Sequence, residues 1–280
     1  MTVDWHSGYL AQHLAGDIVR LEVEMILERR RFLAALLAAP LLEIDYPKRK
    51  AKVVKLFKSP DGHPNGMETT AEGLWIGEQT TDRAHLLDWK GNLIRTVETE
   101  SSNTSGIAFG AGVLWMAANG RAIGRPVKTT DATTGEVLKV DPANGKTLAR
   151  YPIPGGGGVH GLEFAEGKLW VTSLHLQKLS LVNPKDFHLI HQIPVHLGRA
   201  HGLAWDRGAI WCMHSTDRVI HKLSTQDGRI LEAVVLSPSD PDPHGMCLYQ
   251  GHLYYCDAGI APGAVDSGSP DAGYICRIDL

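Results

Sequence analysis

Three histidines stand at equivalent points of a repeated phrase. His160, His201 and His244 each come directly before a glycine and an apolar residue, in the segments HGLEF, HGLAW and HGMCL. Neutral imidazole is a common protein ligand for divalent transition metals, and it can also transfer protons near neutral pH. A fold that brings equivalent positions around one axis would make a metal or acid–base site from these residues. His63, in the segment DGHPNG, is a candidate fourth ligand.

The same phrase occurs twice more, beginning at Asn65 and at Ser105. The five glycines that follow the first residue of each phrase are 40, 55, 41 and 43 residues apart: Gly66, Gly106, Gly161, Gly202 and Gly245. Each copy continues with apolar and aromatic strands separated by Asp, Asn, Pro and Gly, which are turn residues. A period of this length is typical of a β-propeller in which each repeat is one blade. The sequence therefore predicts an all-β, five-bladed propeller with four-stranded blades.

The last repeat supplies only three strands before the chain ends, while the segment Lys50 to Lys58 has no blade of its own. We expect residues Val53 to Phe57 to form the outer strand of the last blade, because this pairing closes the ring and removes exposed sheet edges. One strand position of the repeat is aromatic throughout, and we expect it to pack between blades. Its residues are Trp75, Trp115, Trp170, Trp211 and Tyr254.

The first 45 residues are predicted to be a separate helical extension, with the propeller spanning residues 46–280. Apolar residues recur at helical spacing between Ser7 and Ala39, and Pro40 ends the predicted amphipathic α-helix. This apolar stripe predicts docking on the propeller or pairing of two subunits as a homo-oligomer. The segment Glu28 to Pro40 is similar to a twin-arginine export signal. We expect a cytoplasmic protein, with export to the periplasm as the alternative.

Composition limits the partners. The chain has 280 residues, 43% of them apolar, and a formal net charge of −3, which fits one large globular domain. Without an excess of basic residues, nucleic acid is not an expected partner. No segment reaches the ~20 consecutive apolar residues that a membrane-spanning helix needs.

Propeller geometry predicts which polar residues share a face. The loop before the innermost strand of a blade and the loop after its second strand open on the same side. The pre-glycine positions are Asn65, Ser105, His160, His201 and His244. The strand-end positions are Glu78, Asn119, Ser173, His214 and Asp257. We expect a small organic molecule to bind on this face.

Roles follow from side-chain chemistry. His160, His201, His244 and His63 are expected to hold a divalent metal ion, without a choice among zinc, iron, manganese and magnesium. Three residues are expected to transfer protons: His214, Glu78 and Asp257. Five are expected to bind the substrate: Asn65, Ser105, Asn119, Ser173 and Arg121. Arg121 belongs to a long loop, residues 119–136, whose other cations Arg125 and Lys128 could also contact an anionic group.

The blade phrases, HGLxF or HGMxL followed by GxLWV, resemble those of the virginiamycin B lyase and SMP-30/gluconolactonase group of propellers over about Lys50 to Leu280. The resemblance implies a propeller fold and metal sites that mix Glu, Asn, Asp or His, which Glu78, Asn65, Asn119 and Asp257 could supply. Three aligned histidines depart from the lactonase pattern. They are similar instead to the four-histidine iron site of carotenoid-cleaving propellers.

The sequence is compatible with three functions. The leading one is a metal-dependent lyase or hydrolase that acts on a small organic molecule at the mouth of the channel. The second is a non-haem iron oxygenase with His63 as a fourth ligand. The third is a propeller without enzymatic activity that binds a ligand or serves as a scaffold.

Overall fold

A computed structural model of the protein describes residues 45–260 and 266–279. The predicted N-terminal helix, with its expected docking or subunit pairing, lies outside the described residues. From Tyr46 onward the chain forms one compact unit. The strands are, in order, β1 (Lys48–Lys50), β2 (Lys52–Lys58), β3 (Pro64–Thr69), β4 (Leu74–Glu78), β5 (Ala84–Leu87), β6 (Leu93–Val97), β7 (Thr104–Gly110), β8 (Val113–Asn119), β9 (Gly135–Val140), β10 (Thr147–Pro152), β11 (Leu162–Ala165), β12 (Lys168–Ser173), β13 (Lys178–Val182), β14 (Leu189–Pro194), β15 (Ala200–Asp206), β16 (Ala209–His214), β17 (Val219–Ser224), β18 (Ile230–Val235), β19 (Met246–Tyr249), β20 (His252–Cys256) and β21 (Tyr274–Asp279).

The strands form five sheets, which confirms the predicted five-bladed propeller. The first three blades are β3–β6, β7–β10 and β11–β14, each a four-stranded antiparallel sheet. β15–β18 form the fourth blade, and β19, β20, β21 and β2 form the fifth. A single turn of 3₁₀ helix, Leu174–Leu176, follows β12. Within the described ranges no helix is long and apolar enough to cross a membrane.

The ring closes as predicted. β2 pairs antiparallel with β21, with Val53 opposite Ile278 and Phe57 opposite Ile275. One blade therefore contains strands from both halves of the described chain. The sequence did not predict β1, which adds a fifth strand, parallel to β18, at the edge of the fourth blade. Its three residues are all charged and exposed, so no apolar pattern marks it.

The core lies between neighbouring blades. The aromatic position of the repeat is buried in every blade, from Trp115 at 0% exposure to Tyr254 at 8%. Each of these residues packs in a different apolar cluster, for example Trp75 with Ile107 and Leu138 of the second blade. The predicted packing role is confirmed.

The five repeat glycines meet around the axis, and we call them the glycine ring. A Cβ atom on Gly66 would lie 2.6 Å from the carbonyl carbon of Gly106. One on Gly106 would overlap the carbonyl oxygen of His160, and one on Gly161 would overlap that of His201. The innermost strands therefore approach one another backbone to backbone, and any larger residue would push two blades apart. This close approach explains why the repeat has glycine at this position.

Candidate functional site

Three histidine rings meet on one side of the glycine ring, which we call the histidine end of the channel. His160, His201 and His244 each directly precede a glycine of the ring, in the third, fourth and fifth blades. The rings of His160 and His201 stack with centroids 4.3 Å apart and planes 26° apart. His244 meets His201 edge-on at 5.0 Å and 90°. The backbone contacts between blades thus bring the three side chains into contact.

These rings are buried and uncharged. His160 is 8% exposed, and His201 and His244 are almost fully buried. Burial is the main cause that lowers the pKa of His160 to about 3 and holds those of His201 and His244 below the ordinary value of 6.5. Near pH 7 each ring therefore has one N–H donor and one acceptor nitrogen.

Four ring nitrogens at the histidine end have no hydrogen-bond partner in the described part of the chain. They are Nδ1 of His160, both nitrogens of His201 and Nε2 of His244. Buried polar atoms are almost always hydrogen-bonded, because leaving them without a partner costs free energy. A ligand that supplied partners for these atoms would recover that cost.

Arg199 brings a positive charge to the three rings. It lies two residues before His201, and its charge contributes to the lowered pKa of each histidine. Burial lowers the pKa of the Arg199 guanidinium itself, and the charge of Asp242 opposes that shift. The carboxylate of Asp242 is bound to Arg218 at 3.0 Å. Among the described residues, the guanidinium of Arg199 makes no hydrogen bond or ion pair of its own.

The backbone of Arg199 is in the left-handed region, with φ of +46°. In the second blade the equivalent residue, two positions before Ser105, is Asn103, with φ of +50°. Asn tolerates this conformation best among residues with a side chain. Asn103 is bound on both sides, accepting from Gln79 at 2.7 Å and donating to the Asn119 carbonyl at 3.2 Å. Arg199 has the same backbone conformation without such bonds.

A cavity of about 190 Å³ lies between the third and fourth blades, and Arg199 forms part of its wall. Its polar lining comprises Ser173, Gln177, Lys178 and Arg199, and its apolar lining comprises Leu174, Val195, Leu197 and Ala200. No ion pair is found for Lys178 within the described ranges. The cavity therefore combines two unpaired cations with hydrocarbon walls.

His214, predicted to transfer protons, lies below the loop that holds Arg199. Its Nδ1 faces the carbonyl oxygen of Gly198 at 3.4 Å, and its ring meets His221 edge-on at 4.9 Å. Burial lowers its pKa to about 4. No ring contact joins His214 to the three channel histidines in the described structure. Its position is that of a support for the Arg199 loop.

Glu78 and His63 form a separate group between the fifth and first blades. Glu78 Oε2 accepts the backbone N–H of His63 at 2.8 Å, while Oε1 has no partner in the described residues. Burial raises the pKa of this carboxyl. His63 Nδ1 lies 2.9 Å from the carbonyl oxygen of Ala258, whose N–H in turn lies 3.4 Å from His244 Nδ1. Ala258 thus links this group to the histidine end.

Asp257 is a fully buried anchor for loops. Its Oδ2 accepts from the Asp242 N–H at 2.9 Å and from the Ser269 hydroxyl at 2.8 Å, and its Oδ1 accepts from the Gly259 N–H at 2.8 Å. Both oxygens therefore have partners within the protein, and the carboxylate holds the surrounding loops in place.

The predicted substrate-binding residues have different surroundings. Ser105 donates to the Val159 carbonyl at 2.6 Å, Asn119 accepts from the Val159 N–H at 3.0 Å, and both thereby brace a loop. Asn65 donates to the Thr104 carbonyl at 3.3 Å, and its Oδ1 has no described partner. Ser173 is paired with Ser180 and lines the cavity. Arg121 is exposed.

The long loop that follows β8 carries a buried ion-pair group instead of a free cation. Arg125 binds Asp82 at 2.6 Å and Asp131 at 2.7 Å, and it also donates to the Ser101 carbonyl. These bonds fix the loop against the first blade and occupy the guanidinium. Arg125 is therefore not available to an anionic ligand, contrary to what the sequence suggested.

The predicted metal site requires several side chains to point their donor atoms at one ion. The ring nitrogens of His160, His201 and His244 without hydrogen-bond partners are of a type that binds divalent metal ions. Nevertheless, no group of three or more His, Cys, Asp or Glu side chains in the described part of the chain is arranged to hold a metal ion. His63 is bound to Ala258 and is not in ring contact with the other three. The residues as placed do not fit the predicted four-histidine centre.

The opposite side of the glycine ring holds two buried glutamates, and we call it the carboxyl end. Glu68 and Glu163 each stand two residues after a ring glycine, and they are 7% and 8% exposed. Burial raises the pKa of Glu68 to about 7, and burial together with the charge of Glu68 raises that of Glu163 well above its ordinary value. This pair was not predicted from the sequence. The signal was a charged residue at a repeat position that elsewhere holds Ala108, Ala204 and Cys247.

Comparisons with known proteins show the fold. No family model matches the chain, and no curated protein matches it. Among solved structures, the glutaminyl cyclase of Myxococcus xanthus is similar, with a TM-score of 0.63 and 11% identity, over 84% of this chain and 98% of the cyclase.

Two lyases also appear among the similar structures. The virginiamycin B lyase from Staphylococcus aureus has a TM-score of 0.48 and 18% identity, over 80% of this chain and 68% of the lyase. A streptogramin B lyase has a TM-score of 0.49 and 14% identity, over 82% of this chain and 98% of the lyase. The neighbours thus include the propeller group whose blade phrases the sequence resembles. At these identities the likeness is one of fold, and the chain is a five-bladed β-propeller.

Proposed function

We propose that the histidine end is the active site of an enzyme, a lyase or hydrolase that acts on a small organic molecule. One observation carries the proposal: four buried imidazole nitrogens without described partners lie beside an unpaired guanidinium. An arrangement that costs free energy in the empty protein is expected where a ligand compensates for it. The similar fold of a glutaminyl cyclase is consistent with chemistry on such a scaffold.

The pKa values of the buried groups assign them different roles in catalysis. A histidine with a pKa of about 3, such as His160, is a weak base at pH 7, because efficient proton acceptors have a pKa near the working pH. A neutral imidazole N–H can instead donate a hydrogen bond to a carbonyl oxygen and stabilise the negative charge that develops there. We assign this role to His160 and His201.

Glu78 is the proposed proton-transfer group. Burial raises the pKa of its carboxyl, which makes the carboxylate a stronger base than that of an ordinary glutamate, and Oε1 is without a described partner. Its connection to His244 runs through His63 and Ala258. His214 is proposed to act indirectly, through the loop that carries Arg199.

Activity can be sought with panels of small esters, lactones and elimination substrates. Hydrolysis is followed by proton release, and elimination by the absorbance of the new double bond. We expect His201→Asn and His160→Asn to lose at least about 100-fold in kcat/KM, the effect of removing one donor to a developing oxyanion. His188→Asn, at an exposed turn, is the matched control and should retain full activity.

Two outcomes would reject this proposal. Turnover that survives unchanged in folded His160→Asn and His201→Asn variants would place the chemistry elsewhere. Ligand binding without any turnover would support the non-enzymatic alternative. Metal analysis of protein purified without a chelating tag tests the divalent ion, and oxygen consumption tests the iron oxygenase alternative.

A further inference from the structure

We propose that the cavity beside Arg199 binds a small carboxylate with an apolar body and presents its head group to the histidine end. This inference rests on the proposed function and names the substrate class for the same site. It follows from the charges and the walls of the cavity.

The positive charges in the lining of the cavity favour an anionic ligand. Arg199 and Lys178 both line the cavity, and neither has an ion-pair partner among the described residues. The charge of Asp242 acts on Arg199, and this carboxylate is already bound by Arg218. The planar fork of a guanidinium matches two carboxylate oxygens, whereas an ammonium offers a single charge. Gln177, in the same lining, adds an amide that can complete the head-group contacts.

The apolar part of the cavity lining favours a ligand with an apolar body. Leu174, Val195 and Leu197 form the hydrocarbon part of the lining, in a cavity of about 190 Å³. Apolar walls favour a short hydrocarbon chain or ring over a sugar or a nucleotide, whose hydroxyls would lose their hydrogen bonds to water. The small volume fits a ligand of a few carbon atoms.

The backbone of Arg199 is in the left-handed region, with φ of +46°. A side chain larger than Asn in the left-handed region costs on the order of a tenfold shift in the folding equilibrium. The equivalent position of the second blade avoids this cost with Asn103, which also bonds to its neighbours. Nine other non-glycine residues of the described chain share this conformation, Arg207 among them, so Arg199 is distinguished by its place in the cavity wall.

The test compares three probes in the full-length protein: hexanoate, its neutral analogue hexanamide, and hexyl phosphate. We expect hexanoate to bind at least about tenfold more tightly than hexanamide, because a charge-assisted bond to Arg199 is lost with the amide. Binding is measured by titration calorimetry and by the side-chain nitrogen signals of His160 and His201, which should move on addition of hexanoate while that of His188 should not.

Two variants, one at the cavity and one control, test the role of the guanidinium. Arg199→Asn should weaken hexanoate binding at least about tenfold and leave the melting temperature the same or higher. The control is Arg207→Asn at the far end of β15, where φ is +47° and the side chain is exposed beside Asp206. It removes the same charge from the same kind of backbone and should bind hexanoate as the wild type does.

Three results would overturn the inference: equal binding by the Arg199→Asn variant, no binding of hexanoate at millimolar concentrations, or tighter binding of hexyl phosphate, which would make the ligand a phosphate ester. The proposed function can fail separately. If the Arg199→Asn variant alone loses hexanoate and the histidine variants keep full turnover, the anion site stands and the catalytic assignment falls. If the histidine variants lose turnover but hexanoate does not bind, the catalytic assignment stands and the substrate class is wrong.

Discussion

The two ends of the propeller channel bury ionisable groups of opposite kind and treat them differently. At the carboxyl end, Glu68 Oε1 accepts the Thr69 N–H at 2.6 Å, and the backbone of Trp205 opposes the rise in the pKa of Glu163. At the histidine end, four imidazole nitrogens lack partners within the described structure. Burial favours the uncharged form at both ends, because it lowers the pKa of bases and raises that of acids.

This difference in hydrogen bonding distinguishes a candidate binding site from an ordinary packed interior. Perturbed pKa values occur at both ends, so they do not by themselves identify the functional one. The histidine end combines unmet hydrogen bonding with an unpaired cation, Arg199, and a neighbouring cavity. A shifted pKa therefore indicates that a group is buried. Buried polar atoms without hydrogen-bond partners, next to a cavity, indicate a binding site.

The largest effect should come from the glycine ring that divides the two ends. Gly161→Ala places a methyl group against the carbonyl oxygen of His201. The blades cannot separate locally without opening the ring, so we expect a loss of about 3 kcal/mol or more in the free energy of unfolding, at the upper range for overpacking. Chemical denaturation measures it. Gly198→Ala is the control, since no atom lies within 4 Å of the added Cβ. Equal stability of the two variants would mean that the ring tolerates expansion.

The second prediction concerns pH, where the two ends should act in opposite directions. Glu68 has a folded pKa of about 7 against an ordinary value of 4.5. Between these values the unfolded chain releases the proton and the folded protein keeps it, so this contribution to stability is lost as pH rises. His160 has a folded pKa of about 3 against 6.5, so its contribution is lost as pH falls through that interval.

The Glu68→Gln variant separates the two contributions. It should be more stable than the wild type at pH 8 by on the order of 2–3 kcal/mol, and this difference should shrink toward pH 4. Denaturation curves across this range measure it. Glu72→Gln, on the exposed turn after the same strand, provides the control. A difference that grows toward low pH would reverse the sign and show that Glu68 is ionised in the folded protein.

Much of the fold could be predicted from the sequence because the repeat carries it. The blade number, the closure through Val53 to Phe57 and the packing of the aromatic position all follow from apolar patterns that recur in each blade. β1 could not be predicted in this way. It pairs through backbone groups, and its charged side chains face solvent.

The site was predictable only in part. Equivalent positions identified the three channel histidines, but a repeat says nothing about the direction of strand-end side chains. Glu78 and His214 therefore lie in separate groups, and Asp257 is bound to loops. Arg199 was missed because one arginine in a loop has no pattern. Alignment with Asn103, two residues before its own pre-glycine position, is the signal that could have found it.

A smaller effect should appear when the charge at the histidine end is removed. Arg199→Asn should raise the pKa of His160, because the guanidinium charge disfavours protonation of the ring. The pKa should stay well below 6.5, since burial is the larger cause of the shift. Asp242 and His244 also bear on these rings, and neither is changed by the substitution. Nitrogen signals of the ring followed against pH measure the shift, with Arg207→Asn as the reference. An unchanged pKa would mean that Arg199 lies too far away to act on the histidine end.

The smallest effect should come from His214, which touches the Arg199 loop and none of the three rings. His214→Phe keeps an aromatic ring of similar size and removes the contact between Nδ1 and the Gly198 carbonyl. It also removes the buried Nε2 that has no described partner, so stability should hold or rise slightly. The loop is then less firmly positioned, and we expect hexanoate binding to weaken about two- to fivefold, less than for Arg199→Asn, since a long neutral hydrogen bond contributes well under 1.5 kcal/mol. A loss of turnover with hexanoate binding intact would instead make His214 a direct participant in proton transfer, as the sequence predicted.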